Sequence, residues 1–325
     1  MVTLENIRLA RQRLQGVAVR TPILKYPHPI DGRTLYLKPE NLQPIGSFKL
    51  RGAYNKIASL SDAERSRGVI AYSSGNHAQG VAYAARAMGV KATIVMPNNA
   101  PKIKRDATAA LGAEIVTVGP ASSERKAKAE QLAREHGLSI VPPYNDENII
   151  AGAASVGMEI IEDFPEVQTV LVPIGGGGLV SGVSAAIKLS RPDVQVIGVE
   201  PELANDAQQS LRSGCILELS AQEVSRTLAD GLRTQSIGEI NFEHIRRYVN
   251  AIVTVSDAEM LEAMRRLVLN AKLTVEPSGA VTTAAFMFHQ KELPRTQRTV
   301  AIISGGSVEP ELLARVLVQG NAAYK

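Results

Sequence analysis

The sequence predicts an α/β protein built on open, mostly parallel twisted sheets flanked by helices. Three observations carry this reading. Short β-branched apolar runs alternate with longer segments of helical period, glycine- or serine-rich loops stand where strands give way to helices, and no low-complexity linker or internal repeat divides the chain. Parallel strands need a crossover connection, and a helix is the usual one, so such alternation covers both faces of a sheet.

In chain order, Met1 to Gln15 carries Glu5, Arg8, Arg11 and Arg13 among Leu4, Ile7, Leu9 and Leu14, an amphipathic helix without the continuous apolar core of a signal peptide. Candidate strands are Thr34 to Leu37, Val69 to Tyr72, Thr93 to Met96, Glu114 to Val118, Thr169 to Val172, Val194 to Val199, Ile252 to Val255 and Thr299 to Ile303. Helical stretches lie between many of them: His77 to Met88, Pro101 to Leu111, Ser122 to His136, Asn148 to Asp163 and Leu179 to Leu189. At roughly 150 residues per domain, 325 residues suggest one large or two modest domains. If there are two, the chain passes between them through short ordered segments.

Composition narrows the function. Thirty-six Lys and Arg against 32 Asp and Glu are interspersed, and with no Trp and five Phe there is no basic, base-stacking surface for nucleic acid. Nowhere do about 18 apolar residues run together, so no membrane span is expected. One cysteine, Cys215, excludes an internal disulfide or a Cys-rich zinc site, and a cytoplasmic location is expected.

The most informative loop is Pro173-Ile174-Gly175-Gly176-Gly177-Gly178-Leu179, between the strand ending at Val172 and a helix. Glycines there let several N–H groups converge, free of Cβ atoms, at the positive end of a helix, which holds a phosphate without a lysine. It is neither a P-loop nor a dinucleotide fingerprint, since the required Lys-Ser/Thr and Gly-x-Gly-x-x-Gly spacings are missing. In Gly46-Ser47-Phe48-Lys49-Leu50-Arg51-Gly52, an amine beside an aromatic opens a helical run that continues to Leu60, where the lowered pKa a Schiff-base lysine needs is plausible. Ser73-Ser74-Gly75-Asn76-His77-Ala78-Gln79-Gly80 follows a strand and offers hydroxyls and N–H groups to a carboxylate, or simply a helix cap. Ser304-Gly305-Gly306-Ser307 follows the last strand. Loops at the carboxyl ends of parallel strands converge in one crevice, which favours a phosphate-bearing cofactor or substrate.

With these residues in hand, the chain resembles the fold type II (tryptophan synthase β-like) pyridoxal phosphate enzymes, in particular the serine/threonine dehydratase and serine racemase family. The resemblance runs through Ser47 to Ala53, Ser73 to Gln79, Met96 to Pro101, the four glycines, Asp230-Gly231, Glu276-Pro277 and Ser304-Gly305-Gly306. It implies two sheets, with 68–145 a small mobile domain that closes over substrate, inserted in a large cofactor-binding domain of 1–67 and 146–325. It also implies that Lys49 carries pyridoxal 5'-phosphate and removes the Cα proton. Phe48 would lie against the ring, Asn76 bond its hydroxyl, Gly175, Gly176, Gly177, Gly178 and Leu179 hold the phosphate, and Ser304 meet the ring nitrogen. A neutral hydroxyl at that nitrogen makes a weaker electron sink than a carboxylate, which favours β-elimination over transamination. The implied activity is that of an ammonia-lyase releasing a 2-oxo acid and ammonia from a β-hydroxy L-amino acid through an aminoacrylate. Ser73, Ser74, Gly75, His77, Arg125, Asp230 and Gly231 would face that substrate. No chain follows residue 325 for a C-terminal regulatory domain, so end-product inhibition of that kind is not expected.

Three residues or groups widen the reading. Ser74 occupies the position of the opposite-face acid/base of serine racemases, so inversion by Lys49 and Ser74 is an alternative, as is mere carboxylate binding. Arg125 matches a racemase-group arginine and suits a second carboxylate, as in 3-hydroxyaspartate; it could equally be a surface helix residue. Glu200, the carbonyl of Ala204 and Asp206 match a site for Mg²⁺, Ca²⁺ or Mn²⁺. The chain departs from the family at Pro142-Pro143-Tyr144-Asn145-Asp146 and at Ala151-Gly152-Ala153-Ala154-Ser155, where Ala153 is expected to enlarge or depolarise the pocket and admit substrates as bulky as phenylserine or a hydroxyectoine-derived compound. A non-catalytic pyridoxal phosphate-binding protein is the alternative of another class. A homodimer is expected by resemblance.

Overall fold

The computed structural model describes residues 1–119 and 122–319. Ten strands form two sheets: β1 (Leu24–Lys25), β2 (Thr34–Pro39), β3 (Val69–Tyr72), β4 (Ala92–Pro97), β5 (Glu114–Val118), β6 (Ser139–Ile140), β7 (Thr169–Pro173), β8 (Gln195–Pro201), β9 (Ala251–Val255) and β10 (Arg298–Ile303). The larger sheet runs β1-β2-β10-β7-β8-β9 and the smaller β5-β4-β3-β6. Every pairing is parallel except that of β1 with β2.

Each expected strand is present, extended by a residue or two at several ends. The two that periodicity does not reveal, β1 and β6, have two residues each, too few to show an alternation. β7 is buried along its whole length, as a central parallel strand covered by helices on both faces must be. Helices Glu147–Asp163 and Gly178–Ser190 pack together on one face, and Pro277–Phe288 lies on the other. Their apolar sides build the two largest core clusters, around Val156, Val180 and Val183 and around Met264, Val281 and Phe286.

A charged cluster is sealed into this core. Lys38 on β2 pairs with Glu159 at 2.6 Å, and Arg51 pairs with Glu159 at 2.6 Å and Glu40 at 2.7 Å. Lys38 also donates to the carbonyl of Thr21, and Arg51 donates to Ser155 and to the carbonyl of Val19. Burial pushes the Glu40 carboxyl up, but the Arg51 guanidinium, then Lys38 and the Thr21 hydroxyl, outweigh it and hold it below its ordinary value. The helix Lys49–Ala58 thus stands on a fixed base.

Strand order decides what meets. β10 lies between β2 and β7, so the chain leaving the carboxyl ends of these three neighbours brings Ser304, the segment leading to Lys49 and the glycine loop to one edge. In the smaller sheet, the carboxyl ends of β3, β4, β5 and β6 lead to Ser73–Asn76, Lys104, Arg125 and Pro142–Tyr144 in the same way.

Candidate active site

A cavity of about 710 Å³ is lined from both sheets. The structure brings Phe48, Lys49, Ser73, Ser74, Gly75, Asn76, His77, Arg125, Gly175, Gly176, Gly177, Gly178, Leu179, Asp230, Gly231 and Ser304 to its walls, every cofactor and substrate position expected from the sequence.

Phe48 donates its N–H to the carbonyl of Ser304 at 3.1 Å, and Ser47 forms an antiparallel bridge with Gly305, which fixes the start of the Lys49 helix against the end of β10. The Lys49 amine donates to the carbonyl of Pro143 at 2.8 Å and lies 5.2 Å from the centre of the Phe48 ring. Among the described residues it has no carboxylate partner, and desolvation lowers its pKa to about 8.

The glycine loop is shaped in part by its protein neighbours. Gly177 has φ +95°, the left-handed region, and caps the helix opened by Gly178. A Cβ on Gly176 would stand 2.1 Å from the ring of Tyr144, so this position also makes room for an aromatic from the other side of the cavity. Main-chain N–H groups at a positive helix end are an arrangement suited to an anion.

On the facing turn, Gly75 donates its N–H to Ser73 Oγ at 3.1 Å. Asn76 Nδ2 donates to Glu276 Oε1 at 2.5 Å, while Asn76 Oδ1 is buried without a partner. His77 is buried with Nε2 at 2.9 Å from the carbonyl of Val141. Burial, then the Lys49 charge, lowers its pKa to about 3, so the ring is neutral and committed to the main chain. Ser304 donates to the carbonyl of Ser278 at 3.3 Å, and Ser278 Oγ accepts the N–H of Gly231 at 2.9 Å.

These residues fit pyridoxal phosphate: a desolvated amine without an acid partner, an anion cradle that side chains would obstruct, and an unpartnered amide oxygen beside them. The family described as pyridoxal-phosphate dependent enzyme matches residues 14–305. The chain belongs to that family. It is 43% identical over 322 residues to an L-threonine ammonia-lyase of Thermotoga maritima, covering 98% of this chain and 79% of that protein. It is 41% identical over 310 residues to an L-threo-3-hydroxyaspartate ammonia-lyase of Saccharomyces cerevisiae, covering 95% and 94%. Among solved structures, maize serine racemase superposes with a TM-score of 0.92 at 34% identity, covering 99% of each chain.

In this pyridoxal-phosphate dependent enzyme the expected metal ligands lie outside the cavity lining. Glu200, at the end of β8, accepts the N–H groups of Ala207 at 3.0 Å and Gln208 at 2.8 Å. Asp206 opens the helix Asp206–Ser213 and is fully buried. Burial, then the Asp206 charge, pushes Glu200 well above its ordinary value despite those two N–H groups. Burial pushes Asp206 up to about 7, moderated by its own N–H and that of Ile237. Among the described residues no group of three or more His, Cys, Asp or Glu side chains is placed to hold a metal, so any cation here relies on two carboxylates, carbonyls and water.

One expectation is corrected. Ala153 does not line the cavity; it is buried in the apolar core with Val156 and Val180, and its main chain lies close under Gly182 of the neighbouring helix. A small residue there serves helix packing. The departure that does reach the cavity is Pro142 to Asn145, through Tyr144 on the glycine loop.

Sequence reasoning missed Lys104 and assigned no role to Glu276. Lys104 pairs with Asp230 at 2.6 Å and with Glu276 at 2.8 Å, all three lining the cavity. Asp230, expected to face substrate, thus has one carboxylate oxygen engaged by a lysine 126 residues away. Only the glutamate left a local trace, the Glu276-Pro277 pair.

Proposed function

We propose that this enzyme is an ammonia-lyase that converts a β-hydroxy L-amino acid of the serine, threonine or 3-hydroxyaspartate class to a 2-oxo acid and ammonia. The observation that carries it is the desolvated Lys49 amine, without a carboxylate partner among the described residues, facing a cavity with the Gly175–Gly178 loop on one sheet, the Ser73–Asn76 turn on the other, and a hydroxyl, Ser304, in place of an acid at the end of β10. Bound there, pyridoxal phosphate supplies an aldehyde that captures the substrate amine and a ring that withdraws electrons from Cα. Lys49 would hold the cofactor, and its free amine would take the Cα proton. Phe48 would pack against the ring, Asn76 would bond its hydroxyl, Gly175 to Leu179 would hold the phosphate and Ser304 would meet the ring nitrogen. Ser73, Ser74 and Gly75 bind the substrate carboxylate, and Arg125 at the rim takes a second one.

We propose with it that 68–145 is a small domain closing on a large domain of 1–67 and 146–325, supported by the separate four-stranded sheet. Glu200, Asp206 and the Ala204 carbonyl would hold a divalent cation, supported by two buried carboxylates with no positive side chain beside them among the described residues. A cytoplasmic homodimer is the assembly the resemblance suggests.

The test is oxo-acid release from L-threonine, L-serine, both 3-hydroxyaspartate diastereomers and phenylserine, with and without Mg²⁺, following the enantiomer of the residual substrate. Rapid release without inversion is expected; a yellow protein inert toward the whole panel would overturn the proposal. Lys49→Ala is expected to abolish both release and the cofactor's absorption band. Cofactor uptake by the apoprotein needs the neutral amine, so its rate is expected to rise with pH and level off above a midpoint of about 8. Arg125→Ala is expected to raise KM for 3-hydroxyaspartate about tenfold, one decade per 1.4 kcal/mol, and leave L-threonine nearly unchanged; equal effects on both would remove Arg125 from specificity.

A second reading, racemisation, is favoured by one observation: Ser74 lines the cavity on the sheet that faces Lys49. Inversion outrunning release, and abolished by Ser74→Ala, would establish it.

A further inference from the structure

Lys104 lies in the helix Lys102–Ala110, which follows β4 of the four-stranded sheet, yet its amine is buried among groups from the six-stranded side. It pairs with Asp230 and with Glu276, and the Lys104 and Glu276 side chains are each 2% exposed. Glu276 in turn accepts the Asn76 side-chain amide, so two side chains from the smaller unit, Lys104 and Asn76, converge on one carboxylate of the larger. The lysine stem also runs against the turn before Asn76, since a Cβ on Gly75 would stand 3.0 Å from Lys104 Cδ. The same helix is tied a second time, by the N–H of Ile103 to Glu309 at 3.2 Å.

Separating the two units leaves a buried lysine on one side and two carboxylates on the other, whereas keeping them joined holds both carboxylates within ion-pair distance of Lys104. Asn76 is held by the same contact: one N–H of its amide goes to Glu276, which leaves the second N–H and Oδ1 as its remaining polar atoms. We propose that Lys104 is a positioning residue that latches the four-stranded unit onto the six-stranded one through Asp230 and Glu276, and that Glu276, so held, orients the Asn76 amide on the cavity wall. Its second half rests on the reading above that Asn76 bonds the cofactor's ring hydroxyl.

The two halves are tested separately. In the apoprotein, Lys104→Met is expected to speed amide hydrogen exchange of residues 102–110 at least tenfold, with Asp230→Asn giving a smaller increase and residues 152–160 unchanged. Should Lys104→Met fail to fold, Asp230→Asn alone carries the test, because it keeps the Lys104–Glu276 pair. Exchange identical to wild type in the variants that fold would overturn the latch, whatever reaction the enzyme performs. In the cofactor-loaded enzyme, Lys104→Met and Glu276→Gln are expected to move the cofactor's absorption maximum in the same direction, while Asp230→Asn leaves it in place. Lys104→Met is also expected to raise KM for the amino acid about tenfold with a smaller change in kcat. An unmoved absorption maximum in Glu276→Gln would overturn the orienting role, and wild-type enzyme releasing no ammonia would count against the proposed function while leaving the exchange result intact.

Discussion

Lys38, Glu40, Arg51 and Glu159 bring two positive and two negative side chains into hydrogen-bond contact, whereas Glu200 and Asp206 bring two negative ones near each other with no positive side chain beside them among the described residues. Both groups are buried to a similar depth. The difference is satisfaction. Each charge of the first group has a partner of opposite sign, so that group anchors β2, the Lys49 helix and the helix Glu147–Asp163 and needs nothing more. In the second, no described side chain of opposite sign pairs with either carboxyl and both are pushed up, which would favour taking a proton or a cation.

The comparison breaks most sharply at Arg51. Arg51→Met leaves two buried carboxylates to share Lys38 and is expected to cost about 3–5 kcal/mol, the range for removing one partner of a buried pair. Urea unfolding of the apoprotein would show it; a loss under about 1 kcal/mol would mean the cluster is not the anchor described here.

Mg²⁺ sharpens the other side. At about 100 times its dissociation constant, a cation bound only by the folded apoprotein adds about 2.7 kcal/mol. The midpoint of thermal unfolding is therefore expected to rise with Mg²⁺, fall back on chelation, and respond to neither in Asp206→Asn. A wild-type midpoint indifferent to Mg²⁺, Ca²⁺ and Mn²⁺ would dispose of the cation site.

The two clusters also pull stability in opposite directions with pH. With Glu200 and Asp206 raised in the folded state, their contribution in chelator is complete below the ordinary carboxylate range, about pH 4, and is lost as pH climbs toward about 7. Glu40 is lowered, so its contribution is present above that range and lost as pH falls. Unfolding midpoints measured in chelator from pH 4 to 8 are expected to lose their falling arm in Asp206→Asn. Persistence of that arm would move its origin elsewhere.

The smallest effect marks the scale. Arg8 and Glu5 form an ion pair at 2.5 Å on the exposed face of the first helix, and Arg8→Ala is expected to change stability by less than about 0.5 kcal/mol, because water already solvates both charges. A larger loss in the same urea titration would show that exposure is a poor guide here.

Much of the fold was legible because its signals are local. β3 and β5 have the bounds their β-branched runs predict, and Ser122–His136 the helix its period predicts. The loops around Lys49, Asn76, Gly176 and Ser304 were legible for the same reason: unusual residues stand at strand-to-helix junctions, where backbone N–H groups are free. Ala153 shows the limit. A deviation from a family pattern gives no direction, and the side chain turned into helix packing instead of the cavity.

By itself, the sequence determined the parallel α/β architecture, the glycine cradle and the lysine that faces it, since each depends on periodicity or on residue types a few positions apart. Tertiary structure alone decided that β10 lies between β2 and β7, which puts Lys49, Ser304 and the glycines on one edge. It also decided that Lys104 reaches across to Asp230 and Glu276, that Arg51 is neutralised by Glu40 and Glu159, and that Glu200 and Asp206 meet no positive side chain among the described residues. The reason is common to all of these. A charge's meaning depends on what stands within a few ångströms of it, and for buried charges those neighbours come from segments far apart in the chain.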